Sequence, residues 1–229
     1  MSASTSEALA SALAEILPSG VVVAVGRIGE VPLDVREEER LYARACVPSR
    51  QREFFTGRSL ARRALRRLGC DDGALLPDAS GAPRWPLGVT GSVSHSGSLC
   101  VVAVATRERL RGVGVDVEPA EPLERELWPE ICTADERRWI EARPEAERGS
   151  WARWFFSAKE AVYKAQSPLT GVFLEFHDVT LRAHESDPRM GHFSATLPRS
   201  ASEKLACGTV AGRYATHAGF LLTAAVLPA

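Results

Sequence analysis

Lysine is almost missing from this chain. Of 28 basic residues, 25 are Arg and three are Lys, at positions 159, 164 and 204. Against 29 acidic residues the formal charge is −1, so the chain as a whole is no polycation. No C-x-x-C pair occurs among the five scattered cysteines (Cys46, Cys70, Cys100, Cys132, Cys207), which argues against a zinc site or a disulfide framework and for reduced thiols. The first 26 residues hold no Lys or Arg and include Glu7 and Glu15, so the basic start of a secretory signal is missing and a cytoplasmic protein is expected. Long apolar runs are also missing: residues 85–106 are uncharged but rich in Gly and Ser, and the run from residue 219 is too short for a bilayer, so no membrane span is expected. What remains is an ordinary globular composition, 45% hydrophobic and 25% charged, long enough for one large domain or two of about 110 residues.

Helical patterns cover residues 6–17, 34–46 (with Asp34 as cap) and 48–68, with a strand at 21–27. A turn-rich stretch, 75–86, precedes strands at about 91–95, 99–106 and 113–118. Thr133 and Glu136 form a capping box before a short helix ending near residue 142. A longer helix over 151–166 is expected to be capped by Ser150 and stopped by Pro168 and Gly171. Strands are expected at 176–183, 191–197, 207–217 and 220–227. The fold class is α+β, with two halves of similar size, 1–112 and 113–229.

The segment Gly112-Val113-Gly114-Val115-Asp116-Val117-Glu118 alternates strictly. Its valines share one face, and Asp116 and Glu118 share the other with Cα atoms about 6.5–7 Å apart. Both carboxylates can then reach one hard cation, with Gly114 leaving room for a ligand. A strand end whose polar face meets water would read the same way. In the helix over 151–166, Trp151, Trp154, Phe155, Ala158, Val162 and Ala165 form the buried face, with Arg153, Ser157, Glu160 and Lys164 opposite. Glu160 and Lys164 are either a surface ion pair worth a few tenths of a kcal/mol, or a third carboxylate and a compact charge beside a phosphate.

Seven arginines, 50, 52, 58, 62, 63, 66 and 67, fall within 18 residues. They read as a solvated cationic helix, as an anion site, or as a non-catalytic nucleotide- or RNA-binding module. His95, in Ser94-His95-Ser96-Gly97, is either a hairpin residue or a donor to a phosphate oxygen. A Ser/His hydrolase lacks its G-x-S-x-G element.

Together, Val113-Gly114-Val115-Asp116, Phe156-Ser157-Ala158-Lys159-Glu160-Ala161-Val162-Tyr163-Lys164, Ser94-His95 and the pair Arg50 and Arg58 resemble the 4'-phosphopantetheinyl transferases of the large monomeric type that activates peptide and polyketide synthetases. The resemblance spans about residues 36–167. It implies a monomeric pseudo-dimer of two similar α+β halves with the active site in the cleft between them. It also implies Mg²⁺, or Mn²⁺, held by Asp116, Glu118 and Glu160. Coenzyme A, the substrate, would be bound by Arg50, Arg58, Arg84, Ser94, His95 and Lys159. Arg50 and Arg58 would take its 3'-phosphate; Arg84 stands where relatives often have Lys, and Glu136 where some carry a site-flanking acid. Glu160 and Lys164 would be catalytic: Glu160, directly or through a bound water, would accept the proton of a serine on an apo acyl or peptidyl carrier protein, and Lys164 would offset charge on departing 3',5'-ADP. The motif-free last sixty residues are assigned to the sheet, and no residue names the carrier or its pathway.

Overall fold

Regular structure begins with helix α1 (Ala3–Glu15), strand β1 (Val22–Arg27), helix α2 (Glu37–Ala43) and the long helix α3 (Pro48–Arg67). The hairpin β2 (Val89–Ser96) and β3 (Leu99–Thr106) follows, turning at Gly97 with φ +58°, and then β4 (Leu110–Pro119). After α4 (Trp128–Ile131) and α5 (Ala134–Glu141) comes α6 (Glu145–Thr170), the longest helix. Strands β5 (Thr180–Ala183) and β6 (Met190–Thr196), helix α7 (Arg199–Leu205), and strands β7 (Thr209–His217) and β8 (Phe220–Pro228) complete the chain. This computed structural model describes residues 3–70, 73–78, 81–185 and 187–229; residues 79 and 80 of the turn-rich stretch lie outside it.

The strands form two antiparallel sheets, ordered β1-β3-β2 and β4-β8-β7-β6-β5. They meet where β2 runs beside β4 without a ladder, joined through side chains: the Val115 N–H donates to Ser92 Oγ at 3.1 Å. A shared core ties the sheets together, built from Leu9 and Leu13 of α1, Val25, Leu99, Val101, Val113, Val115 and Leu222. A second core packs α3 on the three-stranded sheet, and a third packs α6 on the five-stranded sheet through Trp151, Trp154, Phe155 and Val162. Each such buried side chain contributes about 1.5–3 kcal/mol, so this surface holds α6 firmly. The mixed α+β class stands, although one sheet has three strands and the other five.

Three local expectations change. Asp34 does not cap α2: Arg36 is the N-cap and Glu39 closes the box on the Arg36 N–H at 2.9 Å, because Asp34 is taken by arginines of α3. Ser150 lies inside α6, which starts five residues earlier behind Pro144; Pro168 sits in the last turn, where its ring forgoes one i→i−4 bond near the end of the ladder, and the helix closes at Gly171 with φ +63°, as expected. Residues 199–205, expected as connection between strands, form α7, whose Ala201 and Leu205 are buried at i, i+4 spacing.

Candidate active site

The alternation of β4 sends Val113, Val115 and Val117 into the shared core and turns Asp116 and Glu118 toward α6 and β2. Asp116 is 2% exposed, and both its oxygens are engaged. Oδ1 accepts from Ser94 Oγ at 2.8 Å and from Lys164 Nζ at 2.7 Å, while Oδ2 accepts from Ser157 Oγ at 2.8 Å. Lys164 also donates to Ser94 Oγ at 3.0 Å and stands 3.7 Å from Glu160. Ser157 Oγ lies 2.9 Å from Thr223 Oγ1, whose proton it accepts. Two halves of the chain thus meet at one carboxylate.

The charges are crowded. Burial, with Asp116 beside it, pushes the Glu118 carboxyl up to about 7 even though Arg153 donates to it at 3.1 Å. Burial, again with Asp116, also raises Glu160. Burial works against the Lys164 ammonium, but Asp116 and Glu160 outweigh it and raise its pKa. Three acids that repel one another, facing the Lys164 ammonium and the Arg153 guanidinium, are still one positive charge short, and their donor set is all hard oxygen, so they fit a divalent cation such as Mg²⁺. Among the described residues, however, no three His, Cys, Asp or Glu are gathered closely enough to hold a metal ion. Lys164 donates to Asp116, one of the three acids that would hold such an ion.

Beside this cluster lies a cleft of about 280 Å³ between the halves, lined by Tyr42, Arg50, Phe54, Arg58, His95 and Lys164 among others. The spacing of α3 turns Arg50 and Arg58 toward it. Arg50 Nη1 lies 2.8 Å from His95 Nε2 and 3.0 Å from Glu53. Arg58 is buried, stacked 4.3 Å over the Phe54 ring, with its Nε donating to the Leu75 carbonyl at 2.5 Å. Burial, then Arg50 and Lys164, lowers the His95 pKa despite Glu53, so a neutral ring is favoured. On the other side of Glu160 opens a larger, mostly apolar pocket of about 810 Å³, lined by Glu118, Phe156, Tyr163, Phe173 and Leu174 among others. A cationic cleft, a cluster of carboxylates and an apolar pocket in series suit a substrate with a phosphorylated head and a long neutral arm.

Comparison with known proteins fits that geometry. A family model for the 4'-phosphopantetheinyl transferase N-terminal domain matches residues 37–105, and one for the 4'-phosphopantetheinyl transferase superfamily matches residues 112–215. The 4'-phosphopantetheinyl transferase Svp of Streptomyces mobaraensis is 38% identical over 84% of this chain and 78% of its own. The chain belongs to the 4'-phosphopantetheinyl transferases. Npt of Nocardia iowensis, of the same name, is 34% identical over 91% of this chain and 96% of its own; PptT of Mycobacterium tuberculosis is 35% identical over 83% and 85%.

Within this phosphopantetheinyl transferase, the structure brings together Asp116, Glu118, Glu160, Lys164 and Ser94, with Arg50, Arg58 and His95 along the adjoining cleft. Two expected coenzyme A contacts are not brought to the cleft, although Lys159 does border the apolar pocket beyond Glu160. Lys159 is 2% exposed and its three N–H groups are all spent, on Glu136 at 2.7 Å, the Ile131 carbonyl at 2.9 Å and the Phe176 carbonyl at 2.8 Å. It is a strut between α5, α6 and the turn before β5, with no donor left for a phosphate. Arg84 is exposed beside Pro83 and does not line the cleft. Glu136 is more than a helix cap, since it also accepts from the Leu181 N–H at 2.9 Å. Gly114 leaves no room for a ligand either: a Cβ there would overlap the Ala161 carbonyl, so the glycine lets α6 rest directly on β4.

Sequence reasoning missed the roles of Ser157, Arg153 and Glu39. Ser157 sits inside the quoted motif and shares the i, i+3 face of Glu160, which was the available signal. No motif marks Arg153, and its reach to Glu118 depends on how α6 crosses β4. The nucleic-acid alternative finds no support, since the arginines of α3 are largely spent inside the molecule: Arg62 on Glu39, Arg66 on Asp34 and Arg67 on the Val23 carbonyl. Among the described residues no helix is long and apolar enough to cross a membrane.

Proposed function

We propose that this enzyme moves 4'-phosphopantetheine from coenzyme A to a serine of an apo acyl or peptidyl carrier protein and releases 3',5'-ADP, with Mg²⁺ held by Asp116, Glu118 and Glu160. The observation that carries the reading is the continuity of the Arg50–Arg58–His95 cleft with the carboxylate cluster around Lys164. Arg50 and Arg58 bind the 3'-phosphate, where a planar guanidinium fork suits phosphate oxygens. His95 and Lys164 meet the pyrophosphate, and the apolar pocket beyond Glu160 takes the pantetheine arm.

The serine oxygen attacks the phosphorus that carries pantetheine. One P–O bond forms and the bond to the bridging oxygen breaks. Glu160, directly or through a water, accepts the serine proton, a role that suits a carboxyl whose pKa is raised by burial. Lys164 offsets the negative charge that grows on the departing nucleotide. When bound, the cation neutralises the pyrophosphate and polarises the attacked phosphorus. Asp116, Glu118 and Glu160 would hold it, with the Lys164 ammonium beside them on Asp116.

The test is to incubate the protein with coenzyme A, Mg²⁺ and apo carrier proteins from several pathways and to weigh the carriers. A gain of one phosphopantetheine group is expected, and it disappears in Asp116→Ala and Glu160→Ala proteins that keep their circular dichroism. Cleavage of coenzyme A without any carrier would mark a phosphohydrolase instead.

A further inference from the structure

We propose that Glu39, buried beneath the cleft, is a positioning residue that sets the Arg58 guanidinium for the 3'-phosphate of coenzyme A; this rests on the reading of Arg58 given above. Glu39 is fully buried, although it lies on a seven-residue helix facing no part of the cluster around Asp116. Its Oε2 accepts from Arg62 Nη2 at 2.6 Å, and its Oε1 accepts from the Leu75 N–H at 2.8 Å. Leu75 is in turn the residue whose carbonyl accepts from Arg58 Nε at 2.5 Å.

Residues 73–76 belong to no helix or strand, so their place depends on such ties. Arg62 holds the Gly73 carbonyl at 2.6 Å and Glu39 holds the Leu75 N–H, so one buried ion pair fixes the segment at two points. Arg58 then has two constraints. The Phe54 ring, 4.3 Å away, sets the plane of the guanidinium, and the Leu75 carbonyl sets its rotation within that plane. With Nε engaged, the paired Nη edge is the part left to grip a phosphate in bidentate fashion. Electrostatics agrees: burial lowers Arg58 to about 10, and Glu39 is the foremost charge opposing that shift. Arg62 and the Arg36 N–H both sit on Oε2, so Oε1 is left to hold Leu75.

The test compares coenzyme A with dephospho-coenzyme A, which lacks only the 3'-phosphate, and reads the ratio of their KM values. In the native enzyme the ratio favours coenzyme A. Arg58→Ala brings it toward one. Glu39→Gln is expected to raise KM for coenzyme A roughly tenfold, with kcat at saturation within about twofold, and so to move the ratio the same way. Because removal of one buried charge can unfold the protein, the double substitution Glu39→Leu with Arg62→Met serves beside it. That change removes both charges, keeps apolar packing and deletes the acceptor for Leu75; it too is expected to erode the ratio. If Arg58→Ala erodes the ratio while Glu39→Gln and the double variant raise both KM values equally, or neither, the positioning role is overturned and Glu39 is structural only. If Arg58→Ala leaves the ratio intact, the assignment of Arg58 fails, and this inference with it.

Discussion

The Ala161 carbonyl of α6 lies so close to Gly114 of β4 that no side chain fits between them. This contact sets the depth at which α6 sits on the sheet, and with it the reach of Ser157 and Lys164 to Asp116.

Gly114→Ala is therefore expected to push α6 off β4. The overlap is with backbone, which cannot rotate away, so a loss of about 1–3 kcal/mol is expected in urea unfolding. Carrier loading should fall by more than the folded fraction does, because Asp116 loses its partners in the protein that remains folded. An unchanged midpoint would mean that the helix can shift without cost.

Lys159→Met separates a strut from a phosphate contact. It leaves Glu136 buried without its ammonium, which is expected to cost about 3–5 kcal/mol and lower the melting temperature markedly. Replacing both residues, Lys159→Met with Glu136→Leu, should restore much of that loss. A higher KM for coenzyme A with an unaltered melt would instead return Lys159 to the phosphates.

Stability in EDTA should fall as pH rises from 5 to 8, in part through Glu118. Its folded pKa is raised from 4.5 to about 7, so the native protein binds this proton more tightly than the unfolded chain. The resulting stabilisation is full below about 4.5, shrinks through the interval, and is gone above about 7. Glu118→Gln removes the titrating group, and urea midpoints across that range should slope less than in the native protein.

The five thiols should divide two against three. Burial pushes Cys100 and Cys132 up to about 12, so neither offers thiolate near pH 8, and both should react with a thiol reagent only after unfolding. Cys46, Cys70 and Cys207 are partly exposed and should react in the native state. Cys46 lines the cleft, so coenzyme A should slow its modification and leave that of Cys207 unaffected.

The helices with strong signals were legible because their causes are local. Thr133 and Glu136 cap α5 as their spacing requires, and Trp151, Trp154 and Val162 bury one face of α6. α7 was not legible, because its burial rests on two residues of a seven-residue element whose partner surface is distant in sequence. The tie of Asp116 to Ser94, Ser157 and Lys164 was legible only as a set of residue types. Those residues lie 22, 41 and 48 positions from it, and their meeting depends on how the two sheets dock.

The amino-acid sequence by itself determined the family, the α+β class, and the two motifs with their acids and lysine, because these follow from residue type and short spacing. The scarcity of Lys drew attention to Lys159 and Lys164 together, but only the tertiary structure told them apart. Five residues apart on one helix, they differ by about 140° around its axis: Lys164 faces the cleft and Asp116, and Lys159 faces Glu136 and two carbonyls in the core. Which charge remains for a ligand and which is consumed by the fold depends on the acceptors that surround each one, and those come from elements far away in the chain.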